Sequence, residues 1–487
     1  MPAQPRISLP IRRREVDLGT PWAGWLGSGF IGGLALSFPS VSPGMLFSMR
    51  NGVVTTPGRG RAMWYAGFAV YAAGVALFSG PGLDHWWGAW AAGGYAIAAV
   101  IMVTAPGRGW SARLAVAAAV AGALVAPTLW LMTKEPTPPD VAVVARAGAL
   151  LLHHGTPYLP LASLSAGGWL AYNPYLPVMA LFGLPGALGL PGQTWPWLIA
   201  ATFLLLYATF RVTLGPRADG RRRAALGHAA FWLSCPVMAF PLTMGITDPP
   251  VIALTCLSLA LLARARHPGS PRPGRDIVLA ALALGVACAM KYTAWPAFAI
   301  IAVMVAARDG VRPAVRFAVG VLAAAAGLVA ALAPAALRHP ASILENTVAY
   351  PLGLTAAKSP AQSPLPGHLL ATLGPAGHAA ALALLAAAGL ATVASLALWP
   401  PATPAAAARR LAIGLTALFL LSPATRFGYF IYPISLYAWA VLADGEEARR
   451  ARRATVDVDL PELVTACAGG LGHQAGLGEA LPAGRGR

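Results

Sequence analysis

Apolar stretches long enough to cross a bilayer recur along this sequence, and they restrict the chain to one class of fold. A helix needs about twenty consecutive apolar residues to cross the hydrocarbon layer. Inside that layer every backbone N–H and C=O group must be bonded within the protein, which leaves helices and closed barrels. The alternating pattern of a barrel strand is missing from these stretches. The sequence therefore predicts an all-α, polytopic integral membrane protein with about 11–13 transmembrane helices.

The predicted spans define a membrane domain over residues 21–443, between two tails. They lie at 22–42, 62–81, 86–105, 112–133, 195–214, 225–244, 249–264, 277–292, 294–307, 314–337, 376–399, 411–422 and 428–443. A further run at 177–192 contains three prolines, so we expect it to be re-entrant or interfacial. Residues 1–20 form a basic tail and residues 444–487 a charged, then Gly/Ala-rich tail, and both are predicted to be disordered.

The chain carries a formal net charge of +18, yet this charge does not indicate a nucleic-acid partner. The arginines cluster in short loops between spans, where the positive-inside rule places them on the cytoplasmic side. With the loops 264–275, 308–316 and 400–410 inside, a long loop at 338–367 falls on the outer side. Asp248, Lys291 and Arg426 fall on that same outer side.

The orientation of the N-terminal part stays open. Four full spans before Asp140 would put the tail with Arg12–Arg14 outside, against the charge rule. Either the Gly/Pro-broken segment 22–42 does not cross the membrane, or the tail is external.

Cysteine and histidine spacing gives no sign of a metal site, and we expect no cofactor. The four cysteines (Cys235, Cys256, Cys288, Cys467) have neither metal-binding nor disulfide spacing. The first three lie in apolar runs, where small packing residues are common.

The segment 134–177 is unusually polar for its surroundings, and it holds Asp140 at the start of a helical pattern. Ionisable residues at a membrane edge are costly and favour a functional interpretation. The alternative is an N-cap, because Asp after Pro-Pro is a good helix start. Val144, Ala147, Leu151 and His154 then recur at helical spacing, which is typical of a helix lying along the membrane surface. The sequence Gly-Thr-Pro-Tyr at 155–158 ends it with turn chemistry.

Four stretches resemble glycosyltransferase family 87, a family of GT-C-type membrane enzymes that includes polyprenyl-phosphate-mannose-dependent mannosyltransferases. The first runs from Asp140 through Gly-Thr-Pro-Tyr to YNPYLPVMALFGLP at 172–185. The others are GITDPP (245–250), GVACAMKYTAWP (285–296) and LSPATRFGYFIYP (421–433). The resemblance as a whole covers about residues 112–443. The stretch GITDPP departs from the family's Gly-Gln-x-Asp, because Ile246 stands in place of Gln.

The resemblance implies transfer of a hexose, mannose above all, from a polyprenyl-phosphate sugar to a cell-envelope glycolipid or glycan. Asp140 would be the general base, since a hydroxyl is a poor nucleophile until its proton is removed. Direct attack with one base implies inversion at the anomeric carbon. Lys291 and Arg426 would bind the donor phosphate, as cations that stabilise the departing charge. The enzyme would work at the outer face of a bacterial plasma membrane, with membrane lipids around it.

Each of these residues also has a simpler interpretation. Lys291 could be a snorkelling lysine at the end of a span, and Arg426 an interface anchor. Asp248 could cap a helix or bind a sugar hydroxyl. Sugar contacts are also predicted for a group of polar and aromatic side chains, which could equally belong to a helix end or an interfacial aromatic belt. These are His154, Tyr158, Tyr172 and Tyr175.

Two other kinds of protein fit the same sequence. A transporter or lipid flippase would also use charged residues and broken helices in the membrane. Against it, no internal repeat is evident and the charges gather at one face. A family member that has lost activity and scaffolds other envelope enzymes is the third candidate.

Overall fold

The structure is a computed structural model that describes residues 58–80, 82–133, 138–164, 167–190, 194–215, 219–267 and 270–451 of the 487. Within those ranges the chain is helices and loops, with one isolated bridge between Gln362 and Thr425. Nine helices there are long and apolar enough to cross a membrane, or ten if one bent pair counts as a span. The protein is therefore an all-helical, polytopic membrane protein, which confirms the predicted fold class.

The longer helices are numbered here in chain order. They are α1 (Gly58–Phe78), α2 (Leu83–Thr104), α3 (Ser111–Leu131), α4 (Pro139–His154), α5 (Pro177–Ala187), α6 (Thr194–Leu214), α7 (Asp219–Ser234), α8 (Pro236–Thr243), α9 (Asp248–Ala265), α10 (Pro273–Met290), α11 (Trp295–Asp309), α12 (Val311–Leu332), α13 (Pro375–Leu398), α14 (Pro404–Leu421) and α15 (residues 431–451). Short helical turns lie in the loops, at Leu161–Leu164, Gly168–Ala171, Tyr292–Ala294, Pro334–Arg338, Pro340–Leu344, Glu345–Ala349, Pro366–Ala371 and Phe427–Phe430.

The span count of nine to ten is lower than the predicted 11–13 for three identifiable reasons. The predicted span at 22–42 lies outside the described residues. Helix α11 has only 15 residues, which is short for a crossing helix. The last turns of α15 are rich in charged residues. The run at 177–192 was expected to be re-entrant or interfacial, and its helix α5 is too short to cross.

Helix α9 forms the centre of the bundle and is buried on every side. Its sequence, DPPVIALTCLSLALLARA, is apolar all round, as expected for a helix surrounded by other helices. The peripheral helices α12 and α13 instead leave large apolar side chains exposed, such as Val319 at 58% and Leu390 at 71%. Those side chains face outward from the bundle, where lipid rather than water would cover them.

Helices α7 and α8 form a bent pair, with an angle of 62° between them. The bend falls at Cys235, directly before Pro236. Proline cannot donate the next helical hydrogen bond, and it disfavours helical backbone in the residue before it. The bend brings the C-terminus of α8 to Trp195, whose indole N–H donates to the Thr243 carbonyl at 3.0 Å.

Successive spans run in opposite directions, so the loops divide into two ends. We call the end that contains Asp140 the Asp140 end; it includes the segments 138–164, 167–190 and 333–374. The opposite end, called the arginine end, is held by ion pairs between neighbouring loops: Arg264 with Asp276, Arg266 with Asp309, and Arg409 with Asp444. The excess of arginine at one end is the charge asymmetry expected of a protein inserted with one orientation.

Candidate functional site

Helix α4 places Asp140 in its first turn. The helix begins at Pro139 after Pro138, and Pro138 makes no side-chain capping hydrogen bond. The carboxylate of Asp140 is instead directed at other segments, as described below, so the N-cap alternative is not observed. Residues Val141, Val144, Ala147 and Leu151 form the buried face, whereas His154 at the end of the helix is exposed. An anion in the first turn also benefits from the positive end of the helix dipole.

Two glycines allow the backbone to pack closely around α4. A Cβ atom at Gly148 would overlap the backbone of Gly183 in α5, and one at Gly183 would overlap the Val144 carbonyl. Gly245 has a φ of 77° and lies against Val141, the residue after Asp140. A side chain at Gly245 would be strained by that φ as well as by contact. Close packing therefore fixes the position of Asp140 on both sides of α4, through the Gly183 backbone on one side and through Gly245 against the Val141 side chain on the other.

The loop after α4 is anchored by buried hydrogen bonds of its own. The Tyr158 hydroxyl donates to the Tyr175 carbonyl at 2.9 Å, and the Asn173 amide donates to the Pro157 carbonyl at 3.1 Å. The backbone N–H of Asn173 in turn donates to Oδ1 of Asn346 at 2.7 Å. This bond links the loop after α4 to the long loop after α12, so both loops are positioned together.

Asp140 accepts two hydrogen bonds from residues that are distant in sequence. The Tyr175 hydroxyl donates to Oδ1 at 2.8 Å. The Arg426 guanidinium donates to Oδ2 through Nη1 at 3.1 Å and forms an ion pair with it. The side chains of Asp140 and Arg426 stay 22% and 28% exposed, so the pair is accessible from the outside.

Both groups that donate to Asp140 are held in their protonated forms. Burial raises the pKa of Tyr175 well above its ordinary value, and the neighbouring Asp140 carboxylate raises it further. For Arg426, burial lowers the pKa, but the Asp140 carboxylate and nearby tyrosines outweigh burial, so the pKa rises. A protonated tyrosine and a charged arginine can therefore both act as hydrogen-bond donors to the Asp140 carboxylate.

Arg426 is positioned by a short pairing of two loops. The Thr425 N–H donates to the Ala361 carbonyl at 2.9 Å, and the Ser363 N–H donates to the Thr425 carbonyl at 2.9 Å. The Phe427 N–H donates to the hydroxyl oxygen of Ser363 at 3.1 Å. Residues on both sides of Arg426 are thus bonded to the segment 361–363.

A second, fully buried charge pair lies behind the first. Lys291 directly follows α10, and its Nζ lies 2.6 Å from Oδ1 of Asp248 at the start of α9. The Tyr432 hydroxyl also donates to that oxygen at 2.6 Å. The other oxygen of Asp248, Oδ2, is buried and has no hydrogen-bond partner among the described residues. A buried carboxylate oxygen without a donor is costly, so a donor from a bound molecule would stabilise it.

Lys291 connects the two charge pairs through aromatic rings. Its Nζ lies 5.3 Å from the ring centre of Tyr175 and 5.4 Å from that of Tyr429, both within cation–π range. Burial by itself lowers the pKa of Lys291, but the Asp248 carboxylate more than compensates, and the pKa ends above its ordinary value. The lysine therefore stays charged within the site.

A small pocket opens over Asp140 and Arg426. Its volume is about 60 Å³, room for about two water molecules. Charged residues line its floor, and aromatic rings and the segment 350–361 form its walls. Ligand pockets usually measure 300–1,000 Å³, so the pocket is closed to a sugar in this conformation.

The structure brings some of the predicted residues together and leaves others apart. Those that line the pocket are Asp140, Tyr172, Tyr175, Lys291 and Arg426. Asp248 lies directly behind Lys291 and does not line the pocket. Tyr158 is buried as a support for the Tyr175 backbone, and His154 lies at the far end of α4, about 21 Å from Asp140 along the helix.

Several other residues contribute to this site and were less evident from the sequence. The ring of Tyr350 stacks on Tyr172 with centroids 4.5 Å apart, and burial raises the pKa of Tyr350 to about 12. Asn173 and Asn346 hold two loops together although 173 residues separate them. The only sequence feature that indicated these side chains was their polar or aromatic character within loops that are otherwise apolar.

Metal-binding groups are not clustered at the site. Within the described ranges, no three His, Cys, Asp or Glu side chains are close enough to hold a metal ion.

The family model for glycosyltransferase family 87 matches residues 173–423 of this chain. That range contains Tyr175, Asp248 and Lys291, whereas Asp140 precedes it and Arg426 follows it. The chain has no significant match among curated proteins or among solved structures.

Proposed function

Since the chain belongs to glycosyltransferase family 87, we propose that it transfers a hexose, mannose above all, from a polyprenyl-phosphate sugar to a glycolipid or glycan of the cell envelope. The observation that carries this proposal is the Asp140 carboxylate, held by Tyr175 and Arg426 in a pocket at one end of a membrane-helix bundle. A lipid-linked donor would reach such a pocket from the bilayer. The pocket would then lie at the outer face of a bacterial plasma membrane, opposite the arginine end.

In the proposed reaction Asp140 is the general base. The acceptor hydroxyl gives its proton to the carboxylate as its oxygen forms a bond to the anomeric carbon. The bond from the anomeric carbon to the phosphate oxygen breaks, and its electron pair leaves with the polyprenyl phosphate. One displacement step inverts the configuration of the anomeric carbon.

Arg426 is the proposed partner of the leaving phosphate. Its guanidinium is always charged and can bind a phosphate through two parallel N–H donors. Without a donor lipid it neutralises Asp140. When the phosphate binds, the shared guanidinium would lie between base and leaving group, where negative charge develops.

Lys291 has a supporting part in this proposal. Its burial against Asp248 leaves it less accessible to a phosphate than Arg426. It would add positive potential beneath the pocket, at a distance where a low-dielectric interior strengthens its effect. Asp248 does not reach the pocket and would act by holding Lys291 in place, while Tyr172 and Tyr175, which line the pocket, contact the sugar.

Donor binding requires the pocket to enlarge. The segment 350–361 forms one wall and contains Pro351, Ser359 and Pro360. It is a loop between short helical turns, so it can shift at lower cost than the packed helices beneath it. We expect this wall to move outward when the sugar enters.

The test is a transfer assay with the purified protein in vesicles. Labelled polyprenyl-phosphate mannose, polyprenyl-phosphate glucose and GDP-mannose are supplied in parallel with a glycolipid fraction of a bacterial envelope. The proposal predicts transfer from a polyprenyl-phosphate donor only, release of polyprenyl phosphate, and inverted configuration in the product. Transfer from GDP-mannose, or retained configuration, would refute it. Passage of labelled lipid across the vesicle without transfer would favour the transporter or flippase.

A further inference from the structure

A large apolar groove lies on the flank of the bundle, away from Asp140. Its volume is about 960 Å³, which lies within the range of ligand sites. Five helices contribute to it: α1, α2, α3, α6 and α7. The lining includes Tyr65, Met102, Leu124, Phe203 and Phe231. Because these residues belong to membrane-spanning helices, the groove lies at the depth of the hydrocarbon layer.

The groove is charged at one end only. Arg61, Arg113 and Arg223 line it near the starts of α1, α3 and α7, which is the arginine end of the bundle. Arg113 and Arg223 are exposed, and no ion pair or side-chain hydrogen bond joins either of them to a residue whose side chain the structure describes. Cations at the end of an apolar groove attract an anionic group.

The opposite end of the groove lies near the Asp140 end. Met132 and Pro196 line it there, directly after α3 and near the start of α6. Helix α3 has 21 residues and so extends about 31 Å, close to the thickness of the hydrocarbon layer. The groove is thus shaped for an amphiphile that lies along the bilayer normal, with an anionic head at the arginine end.

We propose that this groove binds an anionic glycerophospholipid. Arg113 and Arg223 hold the phosphate, with Arg61 beside them, and one acyl chain lies along α3 and α6. Basic pockets between transmembrane helices are suited to anionic head groups, and guanidinium groups bind phosphate through paired donors. The site is separate from the proposed sugar-donor pocket, because its phosphate would lie about one membrane thickness from Asp140.

Charge argues against the chain's own N-terminal segment as the occupant. Residues 1–57 include an apolar stretch at 22–42 that could fit such a groove by composition. Its flanks, however, carry five arginines (Arg6, Arg12, Arg13, Arg14 and Arg50) against two acids (Glu15 and Asp17). A net positive segment would bring like charge to Arg113 and Arg223 instead of neutralising them.

The experiment measures retained lipid by native mass spectrometry. Full-length protein is reconstituted with equal amounts of phosphatidylglycerol and phosphatidylcholine of the same acyl composition and then extracted into mild detergent. We expect phosphatidylglycerol to be retained at least tenfold over phosphatidylcholine. The double variant Arg113→Ala/Arg223→Ala should lose this preference. The matched variant Arg312→Ala/Arg316→Ala removes two exposed arginines at the same end of the bundle, outside the groove lining. This variant should keep the preference for phosphatidylglycerol.

A second variant tests the apolar part of the groove, where the acyl chain is proposed to lie. Ala117 lines the groove and is exposed, so Ala117→Trp fills space without disturbing a buried contact. It should abolish phosphatidylglycerol retention, and soluble glycerol phosphate should not displace the lipid from the wild type.

Three outcomes would overturn the proposal. They are equal retention of the two lipids, equal loss in the Arg312→Ala/Arg316→Ala variant, and efficient cross-linking of residues 22–42 to Ala117→Cys. Sugar transfer is measured separately, so failure here leaves the proposed function untouched.

Discussion

At the scale of single residues, the candidate site depends on contacts between distant parts of the chain. Asp140 and Arg426 are 286 residues apart in sequence and 3.1 Å apart in the structure. Tyr175 supplies the other bond to the carboxylate, and its ring also faces Lys291. Each of these side chains therefore acts within a network, and removing one group changes the others.

Replacing Tyr175 by phenylalanine tests the orientation of Asp140. The variant keeps the ring beside Lys291 and removes only the hydroxyl that donates to the carboxylate. Hydrogen bonds to charged groups contribute about 1.5–3 kcal/mol, so kcat should fall about ten- to hundredfold. KM for the donor should change little. Initial rates check this, with Tyr437→Phe, an exposed tyrosine, as the matched control. An unchanged kcat would contradict the role given to Tyr175.

The Asp248–Lys291 pair predicts a specific double-mutant result. Lys291→Met alone leaves a buried carboxylate with only Tyr432 as a donor, and such losses typically cost about 3–5 kcal/mol. In Asp248→Leu/Lys291→Met neither charge is left unpaired, so stability should recover in part. Thermal unfolding of the protein in detergent measures both. If the double variant were less stable than Lys291→Met, the pair would not be the source of the effect.

Residue identity was more predictable than residue contacts. The charged side chains at 140, 248, 291 and 426 stood out because ionisable groups are rare in apolar sequence. The pairing of these side chains could not be predicted. Nothing in the sequence indicates that Lys291 pairs with Asp248 and Arg426 with Asp140, instead of Lys291 with Asp140 and Arg426 with Asp248. The bond from Asn173 to Asn346 had no sequence signal either.

At the scale of elements, helix α4 positions Asp140 through close backbone packing. Gly148→Ala would force the added Cβ into the Gly183 backbone and move α4 away from α5. Misplacement of a catalytic group by about 1 Å can cost on the order of a hundredfold in rate, so transfer should fall by that order. Gly67→Ala on α1 is the control, since a Cβ there meets no atom within 4 Å. Equal activity of the two variants would show that this packing does not position Asp140.

The elements themselves were largely predictable. The predicted spans at 86–105, 195–214 and 249–264 match α2, α6 and α9 within three residues at each end. Apolar length and flanking arginines define such helices before any tertiary contact forms. The helix expected after Asp140 and its turn at Gly155 are also present. The bend between α7 and α8 was missed, although Pro236 marks its position.

At the scale of the whole molecule, the arginine end and the Asp140 end predict one orientation in the membrane. Lys358 and Ala402 are exposed residues at the Asp140 end and the arginine end, respectively. In intact cells a membrane-impermeant maleimide should label Lys358→Cys and should reach Ala402→Cys only after permeabilisation. Of the native cysteines, Cys235, Cys256 and Cys288 are buried, and wild-type protein controls for Cys467. The reverse labelling pattern would place the pocket on the cytoplasmic side.

The central claim is that Asp140 removes the proton from the acceptor, and single-turnover transfer by Asp140→Asn tests it most directly. The amide keeps the shape of the side chain but cannot take a proton, so the rate should fall by on the order of a thousandfold. Donor affinity should not fall, because Arg426 stays available for the phosphate, and this separates chemistry from binding. The matched control is Asp309→Asn, a carboxylate paired with Arg266 at the arginine end, which should transfer at the wild-type rate. Transfer by Asp140→Asn at the wild-type rate would contradict the account.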